Sequence, residues 1–205
     1  ERMAGHPEKV LDFLNDLLKK SKPFADKQLK QLQDFAKDVD GLDTLESWDH
    51  LFYSEKLKNK LFNLDDEKLK PYFKLENVIQ GVFTVAEKLY ELSFIEVKNI
   101  DTYHKDVKTY EVKNKKNELV SIFYADFHPR EGKRNGAWMT SLKGQKIKNG
   151  INERPHIINV CNLTNPTDSK PSLLTFNEVI TLFHEFGHGL HGMLANTTYP
   201  SLSGT

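Results

Sequence analysis

The stretch Thr175-Phe-Asn-Glu-Val-Ile-Thr-Leu-Phe-His184-Glu185-Phe-Gly-His188-Gly-Leu-His191 decides how the chain is read. Thr175 and Glu178 have the spacing of a capping box, in which each side chain satisfies a backbone N–H that a helix start leaves unpaired. From there Val179, Ile180, Phe183, Phe186, Leu190 and Met193/Leu194 recur every three or four residues as an apolar stripe. A second stripe carries Thr181, His184, His188 and His191. The pattern predicts a helix with one packing face and one face of imidazoles. His184 and His188 are one turn apart, so both rings can reach one ion. This is the H-E-x-x-H spacing, in which imidazole nitrogens hold Zn²⁺ at about 2.0–2.1 Å. Glu185 is rotated by about 100° from His184. It borders the metal without being forced to ligate it, and can pass a proton from a zinc-bound water to a leaving amine. Gly187 and Gly189 each cost about 1 kcal/mol relative to Ala inside a helix, which predicts close backbone approach at both.

Working back from that helix, the hydrophobic period is two. Val107–Val112 and Leu119–Phe127 flank the turn Lys113–Asn117 and predict a hairpin. Ala137–Thr140 and Pro155–Asn162 read as a third and a fourth strand. The joining segments 129–136 and 143–154 are rich in Gly, Lys and Asn and read as solvated loops. A small antiparallel sheet just before a metal helix suits peptide binding, because an extended peptide can pair with an exposed strand edge. Ile157–Leu163 is the first candidate edge and Gly136–Thr140 the second, each with an ordinary core strand as the alternative.

Further back, residues 1–95 read as helices. Val10, Phe13, Leu14, Leu17 and Leu18 form one stripe, broken at Ser21-Lys-Pro23. Phe24, Leu29, Leu32, Phe35/Ala36 and Val39 form the next, ended by Gly41. A third helix carries Trp48, Leu51 and Phe52. Asp65-Asp66 and Pro71 separate it from a fourth over about Glu76–Glu91. The expected class is mainly α with a small antiparallel sheet (α+β), divided into a helical segment 1–95 and a part 96–205 that holds the sheet and the metal helix.

Leu182-Phe-His-Glu-Phe-Gly-His-Gly-Leu-His-Gly192 followed by Tyr199-Pro-Ser-Leu-Ser-Gly-Thr205 resembles the thimet oligopeptidase and peptidyl-dipeptidase family of zinc peptidases, nearest to its peptidyl-dipeptidase and oligopeptidase A branch. Phe123-Tyr-Ala-Asp-Phe127, Gly132-Lys-Arg-Asn-Gly-Ala-Trp-Met139 and Lys170-Pro-Ser-Leu-Leu-Thr-Phe-Asn-Glu178 carry the same resemblance. So do Met3-Ala-Gly5, Trp48-Asp49 and Tyr53-Ser-Glu-Lys-Leu57. It implies a zincin-like, partial catalytic domain, with His184 and His188 as zinc ligands and Glu185 as the catalytic base. It also implies short-peptide substrates and release of C-terminal dipeptides. The family's third ligand, a glutamate, lies on a helix beyond the position of Thr205. The resemblance therefore implies an internal piece that holds zinc weakly and is inactive by itself, since catalytic sites normally use three protein ligands. Weak self-association through surface bared by truncation is expected with it.

The bulk numbers bound the alternatives. The 205 residues are 38% hydrophobic and 28% charged, ordinary for a globular protein. Lys+Arg and Asp+Glu are 29 each, so nothing in the charge drives binding to nucleic acid or membrane. Cys161 is the sole cysteine. No internal disulfide can form, and a reducing, cytoplasmic compartment is expected. His6, His50, His104, His128 and His156 fall outside any ligand spacing. His191 reads as a hydrogen-bond partner near the metal or a polar lining of the cleft rather than a ligand. The rival reading is a non-catalytic helical module with a structural metal or a protein-contact role.

Overall fold

The computed structural model describes residues 4–63 and 66–204. Met3 of the N-terminal motif, Asp65 of the Asp65-Asp66 break and Thr205 of the C-terminal turn lie outside them. The chain divides into two compact units, Glu1–Asp65 and Asp66–Thr205.

The first unit is a helix pair, α1 (Pro7–Asp40) and α2 (His50–Phe62). The expected break at Ser21-Lys-Pro23 does not occur, and Pro23 sits inside a continuous helix. Proline removes one backbone donor, and close by the Ser21 hydroxyl donates to the Leu17 carbonyl at 2.8 Å. Gly41 ends α1 in the left-handed conformation at φ 68°, which only glycine adopts without strain. Leu32, Phe35 and Ala36 are buried with Tyr53 of α2, while Val10, Phe13, Leu14, Leu17 and Phe24 are exposed. The reason is length. At about 1.5 Å per residue α1 spans roughly 51 Å and α2 roughly 20 Å, so α2 covers only one end of the stripe.

The second unit carries a one-turn helix α3 (Asp66–Leu69), then α4 (Leu75–Tyr90), β1 (Ser93–Val97), β2 (Lys108–Lys113), β3 (Leu119–Asp126), β4 (Trp138–Lys143), β5 (Lys146–Lys148), β6 (Ile151–Glu153), β7 (His156–Val160) and α5 (Phe176–Met193). The main sheet has the order β1-β2-β3-β7-β4, and β5-β6 form a separate two-stranded ribbon inside a segment expected to be loop. The β2–β3 hairpin is present as expected, with Asn117 in the left-handed region at φ 62° in its turn.

The all-antiparallel expectation is corrected. β3 and β7 pair in parallel, Ile122 opposite His156 through Asp126 opposite Val160. The sheet is mixed because β4 and the ribbon lie in the connection between them, long enough to bring the chain back in the same direction. The order also decides between the candidate edges. β7 is interior, flanked by β3 and β4, and β4 is the edge strand.

α4 and α5 cover one face of this sheet. Val82, Phe83 and Ala86 of α4, Leu182, Phe186 and Met193 of α5, and Phe123, Ile157 and Cys161 of the sheet form one core. Phe83 stacks on Phe94 at 4.2 Å between ring centres, and Phe123 meets Phe186 edge-on at 5.6 Å.

Candidate active site

α5 begins as expected. The Thr175 hydroxyl accepts from the Glu178 N–H at 3.2 Å and the Glu178 carboxylate accepts from the Thr175 N–H at 2.8 Å. Glu178 also holds Thr164, so the cap ties the preceding loop to the helix start. At the other end Arg154 donates to the Met193 and Ala195 carbonyls at 2.9 and 3.0 Å and to Val120 of β3 at 2.7 Å. A guanidinium there satisfies orphan carbonyls and opposes the negative end of the helix dipole. Both ends of α5 are thus anchored. Arg154 gives no sequence signal, because its partners are backbone groups about 40 residues away.

The buried face of α5 is Leu182, Glu185, Phe186, Gly189, Gly192 and Met193. This is rotated from the expected stripe, and Ile180 and Phe183 are exposed. The row beneath it is Ile157 and Asn159 of β7 and Cys161 just after it. A Cβ on Gly192 would fall 2.8 Å from Ile157 Cδ1, and one on Gly189 only 2.6 Å from Asn159 Oδ1. These two glycines let helix and strand approach. Gly187 does not serve that purpose, since a Cβ there would meet nothing within 4 Å. Asn159 is wholly buried, and neither of its amide atoms has a partner among the described residues.

The rings of His184 and His188 converge on the exposed side of α5. Their Nε2 atoms are 3.2 Å apart and their planes cross at 80°. Two nitrogens at 2.0–2.1 Å from a tetrahedral ion are separated by about 3.3 Å, so the pair fits two corners of such a site. Glu185 lies next to them and is 9% exposed. Among the described residues no third histidine, cysteine or carboxylate completes a metal-holding group. Cys161 lies close enough to Glu185 to feel its charge. Burial first and that charge second push its thiol up to about 12. His191 lines an open groove of about 550 Å³ with Tyr90, Gly187, Leu190, Leu194 and Leu202.

Edge strand β4 runs beside α5, with Met139 Cε 3.3 Å from the Cβ position of Gly192. The loop before it is organised by Asp126, the last residue of β3. Arg130 grips its carboxylate with both guanidinium nitrogens, at 2.7 and 2.9 Å, and the Tyr103 hydroxyl donates to it. Burial alone would raise this carboxyl. The hydrogen bonds from Arg130, Tyr103 and Lys133 more than offset it, and it titrates at about 2 instead of 3.8. A carboxyl held lower in the folded than in the unfolded chain stabilises above its unfolded value and stops doing so as pH falls through its folded one. Stability is therefore lost between about pH 4 and pH 2, by roughly 2 kcal/mol from this group. Urea midpoints measured across that range should fall with acid, and Asp126→Asn should flatten that part of the curve.

Residues 1–205 match the model of peptidase family M3. Oligopeptidase A of Escherichia coli is 45% identical over 204 residues, 99% of this chain and 30% of that protein. Dipeptidyl carboxypeptidase of Salmonella typhimurium is 38% identical over 206 residues, 100% of this chain and 30% of that protein. Mitochondrial intermediate peptidase of Yarrowia lipolytica is 35% identical over 233 residues, with the same two shares of coverage. The relatives matched over the whole chain are named as peptidases. The chain belongs to peptidase family M3. It spans about a third of the length of the relatives it matches. No helix among the described residues is long and apolar enough to cross a membrane.

Proposed function

We propose that this chain carries the metal-binding and peptide-binding half of a zinc peptidase site, a zincin-like arrangement acting on short peptides. The observation that carries the reading is the convergence of two imidazole nitrogens to 3.2 Å on the exposed side of a helix whose intervening Glu185 is buried. His184 and His188 hold the ion through Nε2. Zinc bound there supplies Lewis acidity toward the peptide carbonyl and toward water. Glu185 takes the proton of the attacking water and hands it to the departing amine. Its burial on the packed face of α5 fixes the carboxylate and limits competing water. β4 offers its unpaired edge to an extended peptide, which lays the scissile bond along α5.

The matching relatives include an oligopeptidase and a dipeptidyl carboxypeptidase. Release of C-terminal dipeptides is the expected mode, read out as dipeptide products by mass spectrometry. Two histidines make an incomplete ligand set, so the chain by itself is expected to bind zinc weakly and turn over slowly. Calorimetric titration with zinc should show one weak site that disappears in His184→Ala and in His188→Ala and persists in Glu185→Gln. Unchanged zinc uptake after both histidines are replaced would refute the assignment.

A further inference from the structure

Lys133 looks like a solvated loop lysine in the sequence, yet its side chain is 4% exposed. Its ammonium donates to the Asp126 carboxylate at 2.9 Å and to three backbone carbonyls, Asp126 at 3.0 Å, His128 at 2.8 Å and Cys161 at 2.6 Å. One cation therefore joins the end of β3, the loop that follows, and the residue after β7. Asn162 continues the arrangement, its amide donating to the carbonyls of Arg134 at 2.9 Å and Gly136 at 2.7 Å. The Arg134 guanidinium lies over the Trp138 ring at 4.6 Å. The loop is pinned at 130, 133, 134 and 136, immediately before β4 begins at Trp138.

β4 needs such an anchor. It pairs with β7 on one side only, and its register with β7 slips between Ser141 and Lys143. A strand paired on one side and irregular at its far end has fewer constraints than an interior strand, and beyond β7 and the packing of Met139 against α5 it has the loop at its near end to fix it. A buried charge is costly unless every donor is used, and this one faces four acceptors.

We propose that Lys133 is a positioning residue for substrate: it fixes the height and register of β4, and so of a peptide laid on that edge. This rests on the reading of β4 as the peptide edge. Lys133→Met keeps the length of the side chain and leaves the Asp126 carboxylate paired with Arg130 and Tyr103 and its carbonyl paired with the Cys161 N–H, while the His128 and Cys161 carbonyls lose the Lys133 ammonium.

The test is hydrogen exchange on Lys133→Met, with Arg154→Met as the control for general loosening, because Arg154 bonds to β3 and the end of α5 and makes none of its bonds to β4. Exchange of the β4 amides that pair with β7 should quicken at least tenfold in Lys133→Met, with the β2–β3 amides unchanged. In a chimera in which this chain replaces its 204-residue match in Escherichia coli oligopeptidase A, KM for a fluorogenic short peptide should rise about tenfold in Lys133→Met with kcat within twofold, and Lys133→Arg should restore part of the loss. Quickening spread evenly over β2, β3 and β4, as in the control, would overturn the proposal. So would unchanged exchange in β4. Quickened exchange with an unmoved KM would instead overturn the reading of β4 as the peptide edge, and with it the substrate role.

Discussion

Glutamine in place of Glu185 should lower peptide turnover by about a thousandfold and leave zinc affinity within a few-fold, if the proposed base role holds. The amide matches the carboxylate in volume and can stay in place on the packed face of α5, but it cannot take a proton. Cys161, the titratable group beneath Glu185, is held protonated by burial. His184 and His188 have their Nε2 atoms turned to each other at 3.2 Å, where the proposed reading gives them a shared cation. The two ligands should therefore keep the metal while the base is lost. This separation distinguishes the catalytic reading from the rival in which the helix holds a structural metal or a protein partner, for which a carboxylate at 185 has no assigned task. The measurement belongs in a chimera in which this chain replaces its 204-residue match in Escherichia coli oligopeptidase A, since two ligands alone hold zinc weakly. Turnover within tenfold of the parent chimera would remove Glu185 from the base role. Loss of zinc in the same sample would make it a ligand instead.

The parts of this site that are legible in the sequence are those built from local spacing. The capping box of α5 is reciprocal, and the one-turn separation of His184 and His188 brings their nitrogens together, because a helix converts sequence distance into spatial distance directly. The β2–β3 hairpin is legible for the same reason, its strands being joined by a short turn. What the sequence hides is non-local. Nothing in Ile157–Val160 shows that it runs parallel to β3 or that β4 pairs outside it, since both facts depend on how a 29-residue connection returns (positions 127–155). The buried face of α5 is displaced from the apolar stripe because a stripe counts side chains. Gly189 and Gly192 have none, and Glu185 counts as polar although it faces the sheet. Lys133 and Asp126 escape the rule that charges stay in water, which fails when every donor and acceptor finds a partner inside.

Gly189→Val and Gly187→Ala should move stability in opposite directions although the two positions are neighbours but one in the same helix. At Gly187 a methyl would meet nothing within 4 Å. The backbone there is ordinary helix, so alanine should add about 0.5–1 kcal/mol by narrowing the unfolded ensemble and favouring the helix. At Gly189 the added Cβ would lie 2.6 Å from Asn159 Oδ1. Asn159 is short and fully buried, and its neighbours across the sheet are Ala125 and Met139. It has little room to rotate, and its amide already lacks partners among the described residues. Valine must then push α5 off β7, at about 3 kcal/mol from overpacking together with its poorer helix propensity. Thermal denaturation reads the stability, and zinc titration reads the site, because lifting this turn also moves His188 relative to β4. Equal tolerance at both positions would mean that the helix and β7 are not in the close contact on which the placing of Glu185 depends.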